Sequence, residues 1–82
     1  MKIPGHLRTI RSKTDYCGHD FEKHELCLVK RDGTYFLEHW IDPMPGGMGV
    51  EFREHALEIS EETAQGWSDE LLAHYTRYHH FP

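Results

Sequence analysis

His24-Glu25-Leu26-Cys27-Leu28-Val29-Lys30-Arg31-Asp32-Gly33-Thr34-Tyr35-Phe36-Leu37-Glu38-His39-Trp40-Ile41 reads as one β-hairpin. Apolar and polar residues alternate up to Lys30, the chain reverses at Asp32-Gly33, and the alternation resumes to Ile41. Asp-Gly favours a two-residue type I′ turn, which needs positive φ at both central positions. With those two residues as the turn, Leu28 pairs with Leu37, Leu26 with His39 and His24 with Ile41 on one face. Val29 with Phe36, Cys27 with Glu38 and Glu25 with Trp40 occupy the other. The first face, with Tyr35 beside it, is the expected core side. A three-residue turn with a bulge at Gly33 is the competing geometry and shifts the register by one.

Working outward, residues 6 to 13 read as a first strand or extended arm, with bases at the spacing of a protected edge. Residues 14 to 22 are polar, contain Gly18 and read as a loop. Residues 42 to 49, with two prolines and three glycines, read as a second loop. Val50 to Ile59 resumes extension, and the change of apolar parity near Glu54 predicts a bulge there. Ser60 is placed to cap a helix, with Glu61 and Glu62 at its positive end and Ile59 stapled to Ala64. Ala64, Trp67, Leu71, Tyr75 and Tyr78 recur at helical spacing and predict a sheet-facing stripe. Gly66 weakens that helix, and Ser68 is a natural restart. The expected fold is α+β: a three- to four-stranded antiparallel meander packed by one C-terminal helix, as a single domain over residues 1 to 82.

The glycine-led Tyr35-Phe36-Leu37 strand and the run Ile59-Ser60-Glu61-Glu62, Ala64, Trp67 resemble a layout of small bacterial and phage-type proteins. In that layout a β-meander with a G-x-Y-F-L hairpin leads into an I-S-x-E-x-A-x-x-W helix, here across residues 24 to 72. The resemblance implies an accessory or mobile-element role, of which phage anti-defence inhibitors are one type. It carries no activity to transfer.

The formal charge is −5, unevenly spread. Residues 1 to 13 hold four bases and no acid; the rest hold fourteen acids against five bases. Acidic balance disfavours direct binding of nucleic acid and favours a basic protein surface. No apolar run approaches the ~18 residues of a membrane span, and no secretory signal is read at the N-terminus, so a cytoplasmic protein is expected.

Chemistry has few candidates. Cys17, His19, His24 and Cys27 are four nitrogen and sulfur ligands, and a zinc-stabilised module built on them is the alternative reading. Against it, the spacing is not that of known knuckles, and His24 and Cys27 lie three apart on a strand, which points them to opposite faces. No cofactor is expected. Cys27 with His24 or His39 resembles a thiol–imidazole pair, but a neighbouring Glu38 raises the thiol pKa rather than activating it. No Ser-His-Asp order or phosphate loop is present, so the protein is read as no enzyme. Phe36 and Trp40 are surplus to a single helix–sheet contact. With Glu51, Glu54, Glu58, Glu61 and Glu62 they are the predicted partner-binding residues of a small acidic inhibitor docking on the basic groove of a nucleic-acid-handling protein. The same face also suits a homodimer.

Overall fold

The computed structural model describes residues 3–18, 20–43 and 50–82, with the side chain of Cys17 outside that set. Four strands form an antiparallel sheet in chain order: β1 His6–Cys17, β2 Asp20–Arg31, β3 Thr34–Pro43 and β4 Phe52–Ile59. Two short helices follow, α1 Glu61–Ala64 and α2 Ser68–Thr76. No helix among the described residues is long and apolar enough to cross a membrane.

The central hairpin has the two-residue register. Leu28 pairs with Leu37, His24 with Ile41 and Cys27 with Glu38. Asp32 at φ 50° and Gly33 at φ 79° supply the two positive torsions of the turn, which excludes the shifted alternative. The basic first strand is indeed an edge. The bulge on β4 also stands: His39 pairs with His55 but Trp40 with Arg53, so Glu54 is the extra residue.

Leu26, Leu28 and Leu37 form one side of the core with Ile10, Ile59, Ala64, Leu71 and Tyr75. Ser60 Oγ accepts from Thr63 N–H at 3.1 Å, and its neighbours Ile59 and Ala64 are both buried.

Three expectations are corrected. Residues 14 to 22 are not a loop: Thr14 pairs with Lys23 and Tyr16 with Phe21, and only a tight turn at Gly18 separates the strands. That end of the hairpin is largely exposed and, apart from the Tyr16–Phe21 ring pair, polar, so it lacks the alternation that marks a half-buried strand. The single helix is two, because the chain leaves helical geometry at Trp67 (φ −72°, ψ 161°) just after Gly66. In consequence the stripe is broken: Ala64, Leu71 and Tyr75 face the sheet, but Trp67 is 75% and Tyr78 62% exposed. Spacing counted through the break carries no phase, and Tyr78 lies beyond the end of α2. Of the expected loop, Asp42 and Pro43 belong to β3, and residues 44–49 lie outside the described set.

The helices cover one face only. On the other, Ile3 folds back onto Cys27 and Val29. Gly5 makes this return at φ 72°; its carbonyl accepts from Lys30 N–H at 3.0 Å, and a Cβ there would run into the Lys30 carbonyl. We therefore expect Gly5→Ala to destabilise more than Gly33→Ala, whose added methyl meets only open space and torsional strain. In a Cys17→Ser background, Gly5→Ala should also speed modification of Cys27 by a thiol reagent. Labelling no faster than in the parent would show that Ile3 does not guard the thiol.

Candidate functional site

The helix-free face is built by alternate residues of the central hairpin. Val29, Cys27 and Glu25 come from β2, and Phe36, Glu38 and Trp40 from β3. β4 adds Glu58 beside Phe36, Ala56 beside Glu38 and Arg53 beside Trp40. Phe36 and Trp40 are half-buried, packed against Ile3, Cys27 and Val29.

At the centre Glu38 is 0% exposed. An unpaired carboxylate there would be prohibitive, so its partners define the site. Arg31 donates to both oxygens, with Nη2 to Oε1 at 2.7 Å and Nη1 to Oε2. Trp40 Nε1–H donates to Oε1 at 2.9 Å and Arg53 Nη1 to Oε2 at 3.0 Å. Burial pushes the Glu38 carboxyl upward, but the donors from Arg31, Trp40 and Arg53 outweigh it and hold it below the usual carboxylate range. Arg31 Nε also donates to Pro4 O at 3.0 Å, which ties the folded-back segment to the same cluster. Pro4, Arg31, Trp40 and Arg53 line an open cleft of about 520 Å³.

The opposite face carries a second polar cluster. His24 and His39 are both buried, with Nδ1 of the first 2.8 Å from Nε2 of the second. His24 Nε2 lies 3.3 Å from Glu22 and 3.6 Å from Asp15, so its proton belongs on that nitrogen. His24 Nδ1 then accepts from His39 Nε2–H, and His39 Nδ1 is left without a hydrogen-bond partner among the described residues. Phe81 packs edge-on against both rings. His55 stacks on His79 at 4.2 Å between ring centres. Burial first, then the neighbouring His24, depresses His39 to about 4.

The predicted contact residues divide. Phe36, Trp40 and Glu58 share the helix-free face. Glu51 is half-buried and feels the charges of Glu25 and Asp42 at the far end of the sheet; burial is the main cause of its raised pKa. Glu54, in the bulge, lies on the other side, in a cleft with His39, His55 and His80. Glu61 and Glu62 are exposed in the first turn of α1. The acidic run therefore does not make one patch.

The zinc set is not assembled by the described residues. His24 faces Phe81 on the helix side, while Cys27 packs with Ile3 and Val29 on the other. His19 and the side chain of Cys17 lie outside the described set. Among the described residues no three histidine, cysteine or carboxylate groups are placed to hold a metal ion. Cys27 is buried, and burial pushes its thiol up to about 11; the Thr9 hydroxyl opposes this, and Glu25, Glu51 and Glu38 add to it.

Sequence reasoning missed the Arg31–Glu38–Arg53 cluster and the His24–His39 bond. The signal for the first is an acid between two aromatics, Phe36 at i−2 and Trp40 at i+2, on one face of a strand. No family model, no curated protein and no solved structure matches this chain.

Two predictions follow from the two clusters. Removing the Glu38 charge leaves two arginines facing each other over a buried site, so Glu38→Gln should cost about 3 kcal/mol. Arg53→Gln, on a half-exposed partner, should cost under about 1 kcal/mol. Urea unfolding of both variants tests this, and equal losses would contradict it. The unfolded chain takes up a proton on His39 below about 6.5, whereas the folded chain refuses it until about 4. Stability is therefore full above that window and declines as pH falls through it. His39→Phe should flatten this decline between about pH 6.5 and 4.5; an unchanged slope would place the titration elsewhere.

Proposed function

We propose that this chain is a non-catalytic protein-binding module that docks through the helix-free face of its sheet. The observation that carries the reading is that the half-buried rings of Phe36 and Trp40 flank a fully buried, charge-clamped Glu38 on the face the helices leave open. A half-buried indole beside guanidinium groups is the residue mix of an interface centre. Glu58, next to Phe36, and Glu25, next to Trp40 and paired with Lys23 at 3.0 Å, border the face with acids. That border and the −5 charge favour a partner whose surface is basic.

An inhibitor of a nucleic-acid-handling protein is the specific form we propose, because a groove that holds phosphate is a large basic surface. The layout resemblance to phage-type accessory proteins points the same way. Cys27, sealed under Ile3 with a raised pKa, supports the absence of thiol chemistry on this face. Self-association through the same face is the other use of its apolar area.

The test is affinity capture from lysate with four variants. Phe36→Ser with Trp40→Ser should reduce recovery of the specific partner at least tenfold, while Trp67→Ser, on the exposed helix break, should not. Glu58→Lys should weaken capture and its salt dependence. Glu54→Lys, on the opposite side, should leave both unchanged. A partner retained by the double variant would remove the reading. Sedimentation of the purified chain decides self-association.

A further inference from the structure

The Arg31–Glu38–Arg53 cluster has more positive charge than it needs. One carboxylate is matched by two guanidiniums, in a chain that is acidic overall. Glu38 is saturated: its two oxygens receive four donors from Arg31, Arg53 and Trp40. Arg53 gives only one of its five N–H groups to Glu38, and its side chain is 49% exposed. Among the described residues its only ion pair is with Glu38. Arg31 is 26% exposed, with its Nε spent on Pro4.

Stability does not account for this arrangement. A buried ion pair is commonly no better than a packed apolar replacement, because desolvation offsets the attraction. What a saturated buried carboxylate does supply is position. It holds two planar guanidiniums and an indole at one cleft, with Pro4 as the facing wall. Spare N–H groups on fixed guanidiniums recognise an oxyanion, and arginine does so with forked geometry.

We propose that the cleft of Pro4, Arg31, Trp40 and Arg53 seats a single acidic side chain of the protein partner. This rests on the protein-binding reading and adds a charge code to it: the partner presents one carboxylate within a basic surround. The carboxylate meets Arg53 and the outer edge of Arg31, and its methylenes lie on the indole. The basic surround meets Glu25 and Glu58. The same two acids select against a nucleic-acid strand, whose successive phosphates would be driven onto them. A lone carboxylate has no second charge to place.

The experiment titrates isotope-labelled protein with two blocked tripeptides, Lys-Glu-Lys and Lys-Gln-Lys, and with a thymidine oligonucleotide. Trp40 indole and Arg53 side-chain N–H signals report binding, and a Trp67→Phe variant assigns the indole. Lys-Glu-Lys should shift both signals saturably, with a dissociation constant on the order of 1 mM. Lys-Gln-Lys should bind at least tenfold more weakly. Arg53→Gln should lose tenfold while its unfolding midpoint stays near that of the parent. Equal binding of the two peptides, undiminished binding to Arg53→Gln, or tighter binding of the oligonucleotide overturns the proposal. If the peptides fail while the Phe36 and Trp40 substitutions still abolish capture, the docking face stands and the carboxylate seat falls. If both fail, both readings fall.

Discussion

Strand parity in the central hairpin is the constraint on which the rest depends. Side chains alternate across a sheet, so a slip of one residue exchanges every one of them between faces. In the observed register, Leu26, Leu28 and Leu37 meet the helices, and Cys27, Glu38 and Trp40 do not. One slip of β3 would bring Glu38 to the apolar side of Leu71 and Tyr75 and away from Arg31 and Arg53. The turn at Asp32-Gly33 prevents this because its torsions admit one pairing. The cost of misplacing Glu38 enforces the same answer from the other end of the strand. Local turn chemistry and long-range electrostatics thus agree, which is the consistency a small chain needs to specify one structure.

The parts legible in the sequence are those fixed by local rules. Period-two alternation with Asp-Gly gave the hairpin and its register. The parity change between Phe52 and Leu57 located the bulge, and Ser60 with Glu61 and Glu62 located a helix start. What escaped was set by tertiary context. The outer half of the β1–β2 hairpin is largely exposed, so apart from Tyr16 and Phe21 its residues carry little apolar alternation to read. Trp67 fits a helical stripe by spacing, yet the break after Gly66 turns it outward. The weakness of Gly66 was visible, but its consequence for the phase of everything beyond it depends on where the helix restarts.

The candidate site was legible only in its apolar half. Phe36 and Trp40 stand out as surplus aromatics on a predicted second face. Glu38 looked like an ordinary outward acid opposite Cys27. Its burial depends on Arg31 from the end of β2 and Arg53 from β4, which no local pattern brings together. The same holds for His24 and His39. They are diagonal neighbours across one pairing, and the bond between them needs the sheet, while their shielding needs Phe81 from the far end of the chain. Counting acids over residues 51 to 62 also misled, because a bulge and a helix start distribute them over different surfaces.

The bulge at Glu54 links these observations. Extending the pairing of His39 with His55 regularly would set Glu54 beside Trp40, and Arg53 beside Ile41. One inserted residue puts Arg53 beside Trp40 and Phe52 beside Ile41 instead. On the helix-free face a carboxylate that would repel Glu38 is replaced by a guanidinium that binds it. On the other face an arginine is replaced by an apolar ring, and Glu54 swings to the histidine cluster, where its charge favours protonation of His39 against the desolvation that opposes it. A single backbone irregularity therefore sets the sign of charge on both sides of the sheet. It also joins the faces mechanically, since β3 places Glu38 and His39 in succession. Straightening the bulge would remove Arg53 from the cleft and Glu54 from the histidines together, so the two clusters share one structural cause.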